Sequence, residues 1–372
     1  MHILFAGGGT AGHINPALAV AGYIREKHPD AHISYIGTPD KLEAKLVPEK
    51  GYNFRTIQVS GFNRSFTPKG IIKNIEAINL AATASVSARK ILKELQPDVV
   101  VGTGGYVSGP VLKEAAKLGI KTAIHEQNAF PGVTTKLLAN KVDAVMLAMP
   151  EAQKYMRLKS KPYITGNPVR RELLKTSRDE AREALSLDNR PLLLSFGGSL
   201  GAKYINLAVE ELIEWHNNTG RFYHIHGAGK SGYDMMINDF KEKNISLSKE
   251  IDVREYIKDM NRCMAAADLV ISRAGAITLS EITALGKPAI LIPSPYVAEN
   301  HQYHNAMTLK RAGAAEIIEE KDLTGKRLIE AVDRLIENKT RLQKMSENAK
   351  KIAITDANER IYEVIMRLYT NA

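Results

Sequence analysis

The sequence predicts an α/β protein of two Rossmann-like domains, each built on a doubly wound parallel sheet. Short apolar runs alternate with amphipathic stretches along the chain, which indicates βαβ units. A pattern of strand, glycine loop and helix occurs twice, as two domains of one kind would require. The 372 residues are long for one domain and sufficient for two.

Nine apolar runs are the predicted strands. They are HILFAG, ISYIGT, DVVVGT, TAIHEQ and AVMLA in the first half, and PLLLSFG, FYHIHG, LVISR and AILIP in the second. Between strands, NPALAVAGYIREK and SGPVLKEAAKLG are typical of amphipathic helices.

An internal repeat supports the two-domain prediction. GTAGHINPALAV (9–20) aligns without a gap on GSLGAKYINLAV (198–209), and each copy follows an apolar strand. The turn-rich stretch SKPYITGNPVRREL, in which Pro162 and Pro168 disfavour a continuous helix, is the predicted linker.

Composition restricts the class of protein. A hydrophobic content of 44% and a charged content of 25% are typical of a soluble globular protein. The single cysteine, Cys263, excludes an internal disulfide and suits a reducing cytosol. The first residues form a predicted strand rather than a signal peptide, and no uncharged apolar run reaches the roughly 18 residues of a membrane span.

Charge is distributed unevenly. The net charge is +10, and residues 1–165 carry 21 Lys and Arg against 12 Asp and Glu, whereas residues 166–372 carry 30 against 29. A basic first half indicates an anionic partner, which could be nucleic acid, a membrane surface or a phosphorylated substrate. A generally basic, soluble surface is the alternative.

The first glycine loop has the features of a phosphate site. Gly7, Gly9 and Gly12 satisfy G-x-G-x-x-G, with Asn15 as the predicted N-cap and Pro16 as the first helical residue. Backbone N–H groups at a helix start favour an anion. A dinucleotide fold also needs an acidic residue at the end of the second strand, but Asp40 lies beyond a Gly-Thr-Pro turn.

The sequence predicts no protein-bound metal and no other cofactor. There is no D-x-D triplet, HGAGKS lacks the first glycine of a P-loop, and HEQNA lacks the second histidine of a zinc protease. His301 and His304 could bind a metal, but solvated or locally bonded histidines are the favoured interpretation.

A second phosphate site is predicted in ADLVISRAGAITLSEITALGKPAILIP, which has the pattern of strand, turn, helix and strand. The turn at Arg273–Gly275 presents the backbone N–H groups of the following helix to a diphosphate. Glu281, one to two helical turns later, has two oxygens that could accept the hydroxyls of a ribose. A solvated helix carboxylate is the alternative.

Seven motifs together resemble the MurG family of glycosyltransferases. They are, in order, GGGTAGHINPALAVA, GTGGYVSGP, HEQNAFPG, TGNPVR, SFGGSLGA, RAGAITLSE and ENHQYHNA. The resemblance extends over nearly the whole chain. It implies a GT-B fold, with two Rossmann-like domains facing across a cleft. It also implies inverting transfer of N-acetylglucosamine (GlcNAc) from UDP-GlcNAc to the muramoyl 4-hydroxyl of undecaprenyl-linked lipid I, which gives lipid II for peptidoglycan.

The resemblance also implies a division of labour between the domains. Residues 1–165 would form an N-terminal domain that faces the acceptor and the membrane, and a C-terminal helix within 354–372 would return to it. Residues 166–353 would bind UDP-GlcNAc.

By motif, the resemblance implies the following substrate contacts. Thr10, Ala11 and Gly12 would lie against sugar and diphosphate, Asn128 would contact the GlcNAc, and Arg170 and Ser199 would bind phosphate. Ile257 would flank the uracil, the run Ala276, Ile277, Thr278, Leu279, Ser280 and Glu281 would hold diphosphate and ribose, and Gln302 would bind the sugar hydroxyls. Gly104, Gly105 and Tyr106 form a candidate loop for the acceptor diphosphate. The family often has two adjacent glutamines where this chain has His301-Gln302, so His301 is left outside the predicted site.

His13 is the predicted general base. The reaction needs a group that takes the proton of the acceptor hydroxyl, and histidine is suited to this near neutral pH. Helix N-termini and Arg170 can stabilise the departing UDP. His125 and Glu126 are weaker candidates for the base. The alternative role for His13 is to hydrogen-bond the substrate or to order its loop.

Residues 61–90 combine basic and apolar side chains. The Phe62–Ile72 end, which includes Lys69, predicts a surface patch for anionic lipid, while Ile75 and Ile78 are predicted to pack on the sheet. The sequence therefore predicts a peripheral protein on the cytoplasmic face of the cell membrane, without a nucleic-acid partner. Three alternatives stay open: another GT-B UDP-sugar enzyme such as a glycolipid synthase or an epimerase, a nicotinamide-dependent dehydrogenase, and a non-catalytic sugar-nucleotide sensor.

Overall fold

The computed structural model describes residues 1–59, 68–198 and 200–371, with the helical backbone alone for residues 68–79, 81 and 82. The chain divides into two compact units. The first unit comprises Met1–Pro168 and Asp356–Ala372, and the second comprises Val169–Thr355.

The first unit contains a seven-stranded parallel sheet in the order β3-β2-β1-β4-β5-β6-β7. Its strands are β1 (His2–Gly7), β2 (His32–Gly37), β3 (Asn53–Thr56), β4 (Val99–Gly104), β5 (Lys121–Glu126), β6 (Ala144–Leu147) and β7 (Tyr163–Ile164). Its helices include α1 (Ala11–Lys27), α2 (Glu43–Glu49), α3 (Pro68–Leu95), α4 (Gly105–Lys117), α5 (Val133–Leu138) and a 3₁₀ helix (Pro150–Tyr155).

The second unit contains a six-stranded parallel sheet in the order β10-β9-β8-β11-β12-β13. Its strands are β8 (Leu192–Phe196), β9 (Tyr223–Gly227), β10 (Ile251–Arg254), β11 (Leu269–Ser272), β12 (Ala289–Leu291) and β13 (Ala315–Ile317). Its helices are α6 (Arg171–Lys175), α7 (Arg178–Ala184), α8 (Lys203–His216), α9 (Lys230–Glu242), α10 (Met260–Ala266), α11 (Ala276–Ala284), α12 (His301–Arg311), α13 (Gly325–Ile336) and α14 (Lys339–Lys351), with 3₁₀ helices at Ala298–Asn300 and Glu320–Asp322.

The last helix, α15 (Ala357–Thr370), belongs to the first unit and packs on α1. Its apolar face, with Ile361, Val364 and Ile365, joins the core that contains Ile3 and Phe5 of β1. The neighbouring residues of β1 point to the opposite face of the sheet and pack with α3 and α4. The first sheet is therefore covered on both faces, which is why its strands read as continuous apolar runs.

The predicted fold class, two parallel-sheet α/β domains, is confirmed, and each of the nine predicted runs contains a strand. Four strands were not predicted from the sequence: β3, β7, β10 and β13. Strand β7 lies inside the stretch that was predicted as a linker.

The predicted start of the first helix was wrong. Helix α1 begins at Ala11, with Thr10 in the N-cap position, and Pro16 lies inside it. The Thr10 carbonyl accepts from the backbone N–H groups of His13 (3.1 Å) and Ile14 (3.2 Å), so the helix is established before Pro16 is reached. Pro16 costs the helix its bond to the Gly12 carbonyl.

Three sequence predictions lie outside the described residues. Ser199 is not described, and neither are residues 60–67 or the side chains of 68–79. The Phe62–Ile72 patch and the packing of Ile75 and Ile78 therefore stay predictions.

Candidate active site

Each sheet has a point where the strand order reverses. In the first unit this point lies between β1 and β4, and in the second it lies between β8 and β11. The loops that leave the carboxyl ends of two such strands diverge to opposite faces, which opens a crevice where open α/β sheets bind ligands. The predicted site motifs 7–13, 102–106, 197–201 and 273–281 begin within or directly after the last residues of these four strands.

The loop after β1 is held by a buried carboxylate that the sequence analysis missed. Glu43, which is fully buried, accepts from the backbone N–H of Gly9 (3.0 Å) and from the N–H (3.1 Å) and hydroxyl (2.8 Å) of Thr38. Burial, and after it the negative charge of Glu43, raises the pKa of Tyr35 well above its usual value. Glu43 thus fixes the loop at β1 and also occupies one of its N–H groups.

The start of α1 keeps its exposed backbone donors. Thr10, Ala11 and Gly12 are exposed, and the side chain of Thr10 makes no capping hydrogen bond in the described structure. The first N–H groups of a helix lack intrahelical acceptors and attract anions. Thr10, Ala11 and Gly12, which are predicted to contact sugar and diphosphate, are therefore accessible to a ligand.

The loop after β4 lies directly against His13. Gly104 has φ of +106°, and a Cβ placed on it would lie 2.6 Å from His13 Nδ1. A Cβ on Gly105 would lie 2.5 Å from the Gly8 carbonyl oxygen, so the two glycine loops are in close contact. The buried Ser108 hydroxyl accepts from Gly104 N–H (3.0 Å), and Tyr106 is exposed at the start of α4.

The HEQN segment after β5 lies at the same edge of the sheet. His13 Nδ1 is 3.1 Å from Gln127 Oε1, and the Gln127 side-chain nitrogen contacts His125 Nδ1 at 3.0 Å. His125 is buried, and burial lowers its pKa. Glu126 accepts from Asn128 through the backbone N–H and the side-chain amide, both at 3.1 Å, and from Gly132 N–H at 3.1 Å. His125 and Glu126, the weaker candidates for the base, are therefore buried and hydrogen-bonded within the unit.

In the second unit, the N-terminus of α11 follows the turn after β11. Gly275 is the N-cap, and Ile277, Thr278 and Ser280 are half-buried. Ala276 and Leu279 are buried; Leu279 is inaccessible to solvent, and its backbone N–H donates to the Gly275 carbonyl at 3.0 Å. Arg273 forms a buried ion pair with Glu320 and donates to the Ile292 carbonyl at 3.2 Å. Its guanidinium is thus bound to residues of its own unit.

Two predicted nucleotide contacts pair with each other. Arg170 Nε donates to Glu281 Oε1 over 2.7 Å. The Glu281 side chain is 10% exposed and that of Arg170 is 53% exposed. The carboxylate is therefore not a solvated helix side chain, which was the alternative left open by the sequence.

The two remaining predicted donor contacts lie on other loops of this unit. Ile257, in the loop after β10, is buried and would be 3.0 Å from a Cβ on Gly227. Gln302, in the first turn of α12, accepts from Ser294 N–H through Oε1 (2.9 Å), so its amide nitrogen is the group it can offer to a sugar hydroxyl. His301 donates through Nδ1 to the Ala298 carbonyl at 2.8 Å.

In residues 1–59, 68–198 and 200–371, no three His, Cys, Asp or Glu side chains are grouped so that they could hold a metal ion. Among the helices formed by these same residues, none combines the length and the apolar character needed to cross a membrane.

Comparison with known families assigns the class of protein. Residues 3–147 match the model described as glycosyltransferase family 28 N-terminal domain, and residues 192–361 match that described as glycosyltransferase family 28 C-terminal domain. With two parallel-sheet units that carry glycine loops at their switch points, the protein is a hexosyltransferase of GT-B fold.

Curated relatives narrow the class. The UDP-N-acetylglucosamine--N-acetylmuramyl-(pentapeptide) pyrophosphoryl-undecaprenol N-acetylglucosamine transferase of Acetivibrio thermocellus is 48% identical over 100% of this chain and 99% of its own. The enzyme of the same name from Caldanaerobacter subterraneus subsp. tengcongensis is 45% identical over 98% of this chain and 99% of its own. This chain belongs to the MurG family of N-acetylglucosaminyltransferases.

Solved structures agree with this assignment. The crystal structure of Acinetobacter baumannii MurG has a TM-score of 0.81 and 28% identity, covering 98% of this chain and 99% of that one. The UDP-GlcNAc 2-epimerase from Neisseria meningitidis, at 16% identity and a TM-score of 0.65 over 99% and 100% of the two chains, shares the fold alone.

Proposed function

We propose that this protein transfers GlcNAc from UDP-GlcNAc, with inversion, to the 4-hydroxyl of the N-acetylmuramoyl unit of undecaprenyl-linked lipid I, giving lipid II for peptidoglycan. The observation that carries the proposal is the 48% identity, over the full chain, to a transferase named for that donor and that acceptor. The positions of the site motifs at both switch points support it.

The donor binds to the second unit, residues 166–353 in the sequence-based division. The N–H groups at the start of α11, from Ala276 to Thr278, hold the diphosphate, together with Arg170 and Ser199. Glu281 accepts the ribose hydroxyls, Ile257 flanks the uracil, and Gln302 binds the sugar. The buried and oriented carboxylate of Glu281 supports the ribose assignment, because a fixed acceptor loses little entropy on binding.

The acceptor binds to the first unit. Gly104, Gly105 and Tyr106 hold its diphosphate, while Thr10, Ala11, Gly12 and Asn128 contact the transferred sugar and its diphosphate. The exposure of residues 10–12 supports these roles.

His13 is the general base. Its ring nitrogen takes the proton of the 4-hydroxyl as that oxygen forms a bond to C1 of GlcNAc and the bond from C1 to the UDP oxygen breaks. The positive end of α11 and the guanidinium of Arg170 stabilise the charge on the departing UDP. The mechanism uses no protein-bound metal, in keeping with the absence of a D-x-D triplet from the sequence.

The protein acts as a peripheral protein on the cytoplasmic face of the cell membrane, where anionic lipids bind its first unit. The excess of Lys and Arg in residues 1–165 supports this location. So does helix α5, which exposes 54% of Val133 and 64% of Leu137 beside Lys136. Apolar side chains next to a lysine are suited to a lipid interface.

The test is to mix protein, UDP-GlcNAc and lipid I and to measure UDP release and the mass of the lipid product. We expect UDP release that requires lipid I and a product heavier by one GlcNAc. A matched reaction with a lipid I analogue that lacks the muramoyl 4-hydroxyl is the control. UDP release without transfer, or equal release without lipid, would overturn the proposal.

A further inference from the structure

We infer that Gln127 is a positioning residue for His13: it holds the imidazole as the tautomer with hydrogen on Nδ1, so that the lone pair of Nε2 takes the proton. This inference rests on the proposed role of His13 as the base. It follows from a chain of hydrogen bonds in which the role of each atom is determined by the one before it.

The chain of hydrogen bonds begins at the backbone carbonyl of Gly166. The buried His125 ring has Nε2 at 2.9 Å from the Gly166 carbonyl oxygen, which can only accept, so Nε2 carries hydrogen. Burial lowers the pKa of His125, so the ring is neutral at neutral pH. In a neutral imidazole the other nitrogen is an acceptor. His125 Nδ1 therefore accepts.

The orientation of the Gln127 amide follows from this. Its side-chain nitrogen is 3.0 Å from three atoms that accept: the Thr103 carbonyl, the His125 carbonyl and His125 Nδ1. The reverse orientation would put an oxygen without hydrogen against all three in a site where Gln127 is 2% exposed. Leaving buried acceptors unpaired costs about 1–3 kcal/mol each. The amide nitrogen therefore faces the strand ends, and Oε1 faces His13.

The tautomer of His13 is the last step. Oε1 of Gln127 lies 3.1 Å from His13 Nδ1, and an amide oxygen only accepts. Nδ1 therefore carries hydrogen, and the basic lone pair of neutral His13 is on Nε2. A ring nitrogen is chosen in this way by the hydrogen bond that the other nitrogen makes. Gly104, beside the ring, leaves the imidazole the space that this geometry needs.

A purely structural role for Gln127 makes a different prediction. In that case the amide would only satisfy the Thr103 and His125 carbonyls, and His13 would keep its tautomer without it. The tautomer itself is therefore the measurement that separates the two roles.

The experiment uses protein labelled with ¹⁵N-histidine and long-range ¹H–¹⁵N correlation spectra at about pH 8.5, where an ordinary histidine is neutral. His13 is assigned by the signals that disappear in His13→Asn. We expect a protonated Nδ1 and an unprotonated Nε2 in the wild type. Gln127→Met should move the hydrogen to Nε2 and lower kcat about a hundredfold, with less than about a threefold change in KM for UDP-GlcNAc.

A control variant completes the design. Gln153→Met replaces an exposed glutamine of the same unit and should change neither the tautomer nor kcat.

A wild-type His13 with hydrogen on Nε2 would overturn the inference. So would a Gln127→Met protein that keeps both the Nδ1–H signals and full kcat. Because the tautomer is read without substrate, a wild type that fails to make lipid II but shows Nδ1–H would contradict the proposed function and leave the positioning of His13 intact.

Discussion

Arg170 and Glu281 are bound to each other, with Arg170 Nε donating to Glu281 Oε1 over 2.7 Å. The Glu281 side chain is nearly buried and that of Arg170 is half-exposed, so the pair holds Glu281 in one orientation and leaves part of the Arg170 side chain accessible. The contributions of Arg170 and Glu281 to nucleotide binding should therefore be coupled.

This coupling gives the first prediction. Glu281→Ala should weaken UDP-GlcNAc binding by about 1–3 kcal/mol, because it removes the partner of buried hydrogen bonds. Arg170→Ala should weaken it too, and the double variant should lose less than the sum of the two, since each single change also releases the other residue. Calorimetry measures all three. Glu172→Ala, at an exposed position of α6, is the control, and a donor affinity unchanged by Glu281→Ala would remove this residue from the nucleotide site.

The second prediction concerns His13. His13→Ala should lower the turnover of lipid I by about two to four orders of magnitude, the range for a lost general base, with a much smaller change in donor affinity. Steady-state UDP release measures the first quantity and calorimetry the second. His32→Ala removes an exposed histidine from the same unit and should leave turnover intact. If His13→Ala keeps more than about a tenth of wild-type turnover, the base is another group.

The third prediction tests the contact between the two glycine loops of the first unit. Gly104→Ala places a Cβ 2.6 Å from His13 Nδ1 and should displace the imidazole, so that kcat falls about tenfold or more. Gly119→Ala is the matched control, because Gly119 also has positive φ (+76°) but a Cβ there meets nothing within 4 Å. Both variants should lose stability, by about 1–2 kcal/mol or more, in thermal unfolding. Equal kcat values for the two would show that the contact with His13 does not matter.

The fourth prediction concerns acid stability. Three buried hydrogen bonds connect His216, His224, Ser195 and His226 in the second unit. The ring nitrogens of His216 and His224 are 3.1 Å apart, and the Ser195 hydroxyl lies 2.7 Å from a ring nitrogen of His224 and 2.7 Å from one of His226. Burial lowers the pKa of His216 and of His226 to about 4, and that of His224 well below its usual value. Below about pH 6.5 the unfolded chain therefore binds more protons than the native protein.

Because the unfolded state binds more protons, the free energy of unfolding rises with pH in this window. The contribution of these histidines to the free energy of unfolding should be nearly constant above about pH 6.5. As the pH falls from about 6.5 to 4, each histidine that is protonated in the unfolded state and neutral in the native state should lower it by about 1.4 kcal/mol per pH unit. Thermal unfolding of the full chain from pH 7.5 to 5 measures it. His216→Gln should reduce the slope, whereas His32→Gln should not. A melting temperature that does not change over this range would contradict the prediction.

The fifth prediction concerns the membrane. Lys69→Glu with Lys73→Glu should reduce sedimentation with anionic vesicles, because each basic residue near anionic lipid contributes about 1 kcal/mol. Raised salt should have the same effect, while binding of soluble UDP-GlcNAc stays unchanged. Lys339→Glu with Lys344→Glu is the control, because it makes the same change of charge in the second unit, for which no lipid binding is proposed. Vesicle binding that responds to neither salt nor the first pair would leave packing as the role of this segment.

The nine predicted strands are the internal strands of the two sheets, and each pairs with another strand on both sides. The four that were missed, β3, β7, β10 and β13, are the four edge strands of the two sheets. An edge strand such as NFRT or IDVR is less covered and carries polar residues, so its apolar signal is weak.

Site motifs could be recognised locally, but their connections could not. Gly9 and Glu43 are 34 residues apart, and His13 and Gln127 are 114 apart. The spacing of residues in one segment carries no signal for such pairs, although the position of Gln127 beside Asn128 in HEQN offered a hint. The glycine loop alone predicted a phosphate-binding site, whereas the hydrogen bond from Gly9 to the Glu43 carboxylate can be recognised only in the structure.

Helix α15 has a consequence for how the protein is made. Its residues Ile361, Val364 and Ile365 complete the core around β1, which is synthesised long before them. At about 5–20 residues per second, the strands of the first unit wait tens of seconds for their final helix, while the second unit is synthesised and can fold in between. During that interval the apolar surface of α1, β4 and β5 on which α15 packs stays uncovered. The first unit therefore cannot complete its core until the whole of the second unit has been synthesised.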